Sequence, residues 1–223
     1  MRLLESLGTI SQSIAELFRF IVARQETIFE LTLEHLWLVL LAGFIAIFIG
    51  VAFGITITYN KKAASIVLAI CQILMVVPSF AMLGFLIPFF GIGFTSGVIA
   101  LILYSLLPVV RNTYTGIQEI PPYILEAAHG MGMSETAVLL KIKIPLALPT
   151  IMAGFRTAMV MIVGIGAIAA YIGAGGLGEL IFHGISRTQP MRVMAGAIFI
   201  SLIALFTDLI LGKIEDRLLA RTR

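Results

Sequence analysis

The sequence predicts an all-α integral membrane protein with about five transmembrane helices. Three observations carry that expectation. Of 223 residues, 60% are hydrophobic and 12% charged, whereas a water-soluble domain carries about 25% charged residues. The mean hydropathy is +1.08. The apolar residues fall into runs of the length that crosses a hydrocarbon core of about 30 Å, separated by short polar joints. Little polar sequence remains for a catalytic or ligand-capturing domain, so such a domain is expected on a separate chain. Net charge is +3, too small an excess to suggest nucleic acid as a partner.

Residues 1–30 are mixed in polarity. Leu7, Ile10, Ile14, Leu17, Phe18 and Ile21 recur at helical spacing, and Glu5, Gln12 and Glu16 interrupt any signal-peptide core. An amphipathic helix at the interface or against the bundle is expected. The transmembrane domain follows over 31–212. Its first span covers 36–58 and contains Gly50 and Gly54, a small-xxx-small pair that lets a neighbouring helix approach closely. The second apolar run, 63–90, is longer than one straight span and is interrupted by Pro78 and Pro88. Proline removes a backbone donor, so a break is expected at 77–79, with the irregular backbone facing protein or a cavity rather than lipid. Gly91 and Gly93 make the next turn.

The third span covers 94–110. A polar loop follows over 117–147, then a fourth span over 148–172 that contains Arg156. It ends in Gly173, Gly175 and Gly176, which are unsuited to a helix interior. Residues 180–184 form a short apolar piece. The fifth span covers 194–211, and 213–223 form a charged helical tail. Cys71 has no partner for a disulfide and reads as a small core hydrophobe. His35, His129 and His183 lack ligand spacing, so no metal is expected. No Gly-Lys-Ser/Thr occurs, so this chain is not expected to bind ATP through a P-loop.

Basic residues are enriched on the cytoplasmic side of membrane proteins. With five spans, Lys61, Lys62, Arg111, Lys141, Lys143, Lys213, Arg217, Arg221 and Arg223 share one side, and Arg2, Arg19, Arg24, Arg187 and Arg192 share the other. Nine against five places the first group, the 117–147 loop and the C-terminus in the cytoplasm, and the N-terminus outside.

Between Pro121 and Pro149 the sequence favours two short helices rather than a linker. Pro121 and Pro122 suit a helix start, and Glu126 lies near the positive end of the helix dipole. Gly130 and Gly132 are expected to end that helix. Ser134 caps a second, which is expected to stop near Ile144, with Pro145 introducing the next element.

Glu126-Ala127-Ala128, Gly132 and Ile142-Lys143-Ile144-Pro145, at their spacings, resemble the EAA signature of bacterial ABC importer permeases, with isoleucine at 144 where the family prefers leucine. Three further segments, 106–116, 127–133 and 172–178, are similar to permeases of the osmoprotectant uptake family. The resemblance implies a type I ABC importer permease fold in a bacterial cell membrane. It implies that Glu126, Ala127, Ala128, Gly130, Gly132, Ile142 and Pro145 form a coupling helix for a cytoplasmic ATPase subunit, which would bind the ATP and Mg. It also implies a second permease subunit, identical or homologous, and a separate extracellular or periplasmic substrate-binding protein that holds the selective aromatic cage. The cargo implied is glycine betaine, carnitine, choline or a related quaternary amine. Two alternatives stand beside it: an ABC permease for another small zwitterion such as methionine or ergothioneine, and an ion-coupled carrier working alone. Only Arg156 and Asp208 are ionisable within the spans, which is sparse for an ion relay.

Arg156, Pro78, Gly173, Gly175 and Gly176 are the candidates for a pathway or gate. Arg156 is too costly to face lipid, and Asp208 reads as a structural partner for a basic residue. Tyr104, Tyr114 and Tyr171 are able to stack on a cation but read as packing, so no substrate-contacting residue is nominated.

Overall fold

A computed structural model describes residues 2–222, with side chains described over 12–220; Leu7 and Ile10 of the first apolar stripe fall outside the latter. The order is α1 (Arg2–Ala23), α2 (Gln25–Thr56), α3 (Lys61–Val76), α4 (Ser79–Phe90), α5 (Phe94–Gln118), α6 (Pro122–Gly130), α7 (Glu135–Val138), α8 (Ile144–Ala169), α9 (Gly178–Ser186) and α10 (Pro190–Thr222). Four of the resulting rods are long and apolar enough to cross a membrane, and α3 with α4 forms a fifth, bent by 103°. The expected all-α architecture of about five spans is what the chain adopts.

The break falls at Val77 and Pro78, as the proline predicts. Pro78 has no N–H to continue the helix, and the freed Val77 carbonyl accepts a hydrogen bond from the Tyr104 hydroxyl of α5. Asn60 starts α3 by accepting from the backbone N–H groups of Lys62 and Ala63 at 2.9 and 3.2 Å, an N-cap.

Helix α5 is the axle of the bundle, packed between α2 and α8. Leu101, Val109 and Val110 are fully buried in it. The Gly50/Gly54 pair works as expected. A Cβ at Gly54 would lie 2.4 Å from Thr113 Cβ, and one at Gly50 would lie 2.6 Å from a Val109 methyl. Without a hydrophobic drive between helices in lipid, such close backbone approach supplies the attraction.

Several boundaries differ from expectation. The N-terminal stretch is two helices meeting at Arg24, with α2 beginning ahead of the first apolar run. Helix α5 continues past Val110 to Gln118. The 213–223 tail is no separate element, because α10 runs unbroken through Lys213. Hydropathy marks what lipid accepts, whereas a helix ends where its hydrogen bonding ends. Glu26, Glu30, Gln118 and Lys213 are helix-compatible residues that carry rods beyond the apolar zone.

Gly54→Leu is expected to destabilise the detergent-solubilised protein by about 1–3 kcal/mol through overpacking. Gly84→Ala, where a Cβ meets nothing within 4 Å, is expected to show no comparable loss in the same thermal unfolding experiment.

Candidate functional site: the α6–α7 elbow and the helix it joins

Helix α6 opens with Pro122, preceded by extended Pro121. It closes through two hydrogen bonds, Met133 N–H to the Ala128 carbonyl at 3.2 Å and Gly132 N–H to the His129 carbonyl at 2.9 Å. This is the Schellman arrangement, which needs a left-handed residue at its turn, and Gly132 supplies it at φ +77°. Gly130, expected to help end the helix, is instead its last helical residue. Ser134 then caps α7, its hydroxyl accepting from Ala137 N–H at 3.3 Å. His129 and Glu135 meet at 2.8 Å and tie the two helices together.

The elbow presents two faces. Ala128 and Val138 are fully buried, while Glu126, Ala127, Gly130 and Gly132 are exposed. Tyr123, Met131 and Leu140 expose large apolar side chains on the same tip.

Pro145 departs from its expected role. No element ends there. Residues Glu135–Ile172 form one continuous helical run, and a π-helical stretch, Leu139–Lys143, precedes the proline. A proline lacks the N–H of the regular ladder and crowds the preceding turn; the wider π-turn accommodates it. Ile142 lies in that stretch, and Pro145 in the first turn of α8. The elbow is therefore the tip of the same rod that crosses the membrane. Its base is held by the Lys143 ammonium, 5.7 Å from the centre of the Tyr59 ring, and by Gln118, whose side-chain amide donates to the Thr58 carbonyl at 3.2 Å.

Along that rod, Arg156 reaches α10. Its Nε and Nη2 donate to the two carboxylate oxygens of Asp208 at 2.6 and 2.9 Å, and Nη1 donates to Glu215 at 3.1 Å. Asp208 and Glu215 are two helical turns apart and share one face. Gly212 lies between them, where a Cβ would sit 3.0 Å from the guanidinium carbon. The expected partnership of Asp208 with a basic residue is thus met by Arg156. Glu215 escaped the sequence reading, although its seven-residue spacing from Asp208 was a usable signal.

The remaining pathway candidates lie elsewhere. Gly173, Gly175 and Gly176 have φ of +75°, +82° and +87°. Their segment folds back on α2, where the Glu34 carboxylate accepts from Gly176 N–H at 3.0 Å. Buried His35 donates from Nε2 to the Val163 carbonyl at 3.0 Å and lies where a Gly176 Cβ would fall. Neither role of Glu34 or His35 was visible in sequence, since both depend on contacts more than a hundred residues away. Pro78 and the glycine segment are linked through rings. Phe80 beside the break and Tyr171 beside the glycines have centroids 5.3 Å apart, and Tyr171 and Phe182 are also 5.3 Å apart. Arg156 joins neither.

Arg156→Met leaves two neighbouring carboxylates without their cation. It is expected to lower the unfolding temperature in detergent more than Asp208→Asn does. The double variant is expected to lose less than the sum of the two, the mark of a direct pair.

Residues 46–220 match the family model described as binding-protein-dependent transport system inner membrane component. The chain is 46% identical over 191 residues to the osmoprotectant import permease protein OsmW of Salmonella typhimurium, covering 83% of this chain and 89% of that one. It is 39% identical over 184 residues to the glycine betaine/carnitine/choline transport system permease protein OpuCB of Bacillus subtilis, covering 82% and 85%. Its fold matches a chain of the MetNI methionine ABC transporter in an inward-facing conformation, with TM-score 0.76 and 22% identity over 86% of this chain and 95% of that one. The architecture is that of an ABC importer permease. The chain belongs to the binding-protein-dependent transport system inner membrane components and is a multi-pass membrane transport protein.

Proposed function

We propose that this chain is the permease subunit of an ATP-driven importer of quaternary-amine compatible solutes such as glycine betaine, carnitine and choline. The observation that carries the mechanism is the continuity of Glu135–Ile172. A partner that displaces the elbow displaces a membrane-crossing rod with it, and the Arg156 clamp extends that displacement to α10. The exposed face of Glu126, Ala127, Gly130 and Gly132 docks on an ATPase subunit, with Ile142 and Pro145 at its base. The asymmetry of basic residues supports a cytoplasmic elbow, a cytoplasmic C-terminus and an external N-terminus. ATP and Mg belong to the ATPase. A second permease subunit completes the path, and a separate binding protein delivers the solute. The names of the two permease relatives support the solute class. The methionine transporter, at 22% identity, supports the fold alone.

The complete importer in proteoliposomes is expected to accumulate glycine betaine only with ATP on the elbow side. Uptake driven by an ion gradient without the ATPase would identify an independent carrier instead. Gly132→Val forces a β-branched residue into a left-handed conformation. It is expected to insert normally but to copurify with the ATPase at a strongly reduced ratio. Gly164→Ala, where a Cβ meets open space, is expected to copurify as the unaltered chain does.

A further inference from the structure

Two arginines lie within the helical spans outside the terminal rods, and they are treated differently. Arg156 is neutralised by two carboxylates. Arg111 has no carboxylate partner among the described residues. Its contact is with a neutral group, Nη2 donating to the Gln72 side-chain carbonyl of α3 at 2.7 Å.

The position of Arg111 is unusual. Between residues 101 and 117, α5 is buried or half-buried everywhere except at Arg111, which is exposed. The central helix has one opening, and an arginine fills it. Nor does this side chain point toward the elbow end of the bundle. Gln118, at the end of α5, sits level with Thr58, and Arg111 lies seven residues deeper, about 10 Å. Gln72 stands twelve residues beyond Asn60, about 18 Å along α3. The guanidinium therefore reaches inward, away from the elbow end. Charged and amide groups at such depth face a bundle interior or a water-filled cavity, not lipid. A guanidinium presents five donors in a planar fork suited to a carboxylate, and the Gln72 contact occupies one of them.

We infer that Arg111, positioned by Gln72, is a carboxylate-binding residue of the translocation path that contacts zwitterionic solutes such as glycine betaine and carnitine during passage. The inference rests on the solute class proposed above. It also makes a distinction within that class, because choline carries the quaternary ammonium but no carboxylate.

The test compares glycine betaine with choline in proteoliposomes holding the complete importer, with the binding protein unaltered so that any change in preference arises in the permease. Arg111→Gln is expected to reduce glycine betaine uptake about tenfold, the scale of one charged hydrogen-bonded contact, while choline uptake and ATP hydrolysis stay within about twofold. Arg111→Lys keeps the charge without the fork and is expected to shift the ratio in the same direction by a smaller factor; it serves as the readout if Arg111→Gln does not assemble. Equal loss of both solutes in an assembled variant, or no change in either, overturns the proposal and points to an acidic residue of the second subunit or a structural role. A wild type that imports choline alone also overturns it. If the wild type imports glycine betaine alone, the readout is uptake per ATP hydrolysed. That ratio falls in Arg111→Gln under the proposal and is unchanged if the arginine is structural. A wild type that imports neither solute refutes the solute class itself rather than the role of Arg111.

Discussion

A chain in hydrocarbon has no water to meet an orphaned backbone group, so each departure from helix must be met by a neighbour. Three of the departures among the described residues show how this is done. At Val77 the freed carbonyl is met by the Tyr104 hydroxyl. At Gly176 the freed N–H is met by the Glu34 carboxylate. At Leu139–Lys143 the ladder widens by a residue ahead of Pro145 and keeps its continuity. The first two departures bend the chain, and the third keeps it straight.

That third case joins the elbow to a membrane-crossing helix without a break. A helix ending at Ile144 would have left the elbow on a flexible joint. The continuous run instead makes the elbow one end of a rod that packs on α5 and is tied to α10 through Arg156. The clamp is a charged, bidentate contact with geometric specificity.

The proline and glycine signals were legible in the sequence because their cause is local. Pro78 ends its helix where its missing N–H leaves the ladder open, Gly132 turns left-handed at small cost, Ser134 caps, and Gly50 with Gly54 admits a close neighbour. Pro145 misled for the opposite reason. The same chemistry allows a stop or a π-turn, and packing of the flanking helix decides between them. Helix ends differ from expectation at Val110 and Lys213 because hydropathy reports where apolar residues stop and not where backbone hydrogen bonding stops. Among the candidate residues, the α6 and elbow positions came together as a unit, while the pathway candidates separated into an aromatic-linked pair of irregular segments and an unrelated ion clamp.

The sequence by itself determined that the chain is helical, that it has about five membrane-length apolar spans, and that it breaks at Pro78. Those properties follow from composition and from single residues whose backbone chemistry is intrinsic. Only the tertiary structure decided which polar groups are satisfied and which are left open. It paired Arg156 with Asp208 and Glu215 across 52 and 59 residues of sequence, set Glu34 under a glycine loop 142 residues away, and left Arg111 facing Gln72 with no acid beside it among the described residues. Ion pairing in a low-dielectric interior is decided by which side chains meet, and residues that meet across helices are not neighbours in sequence.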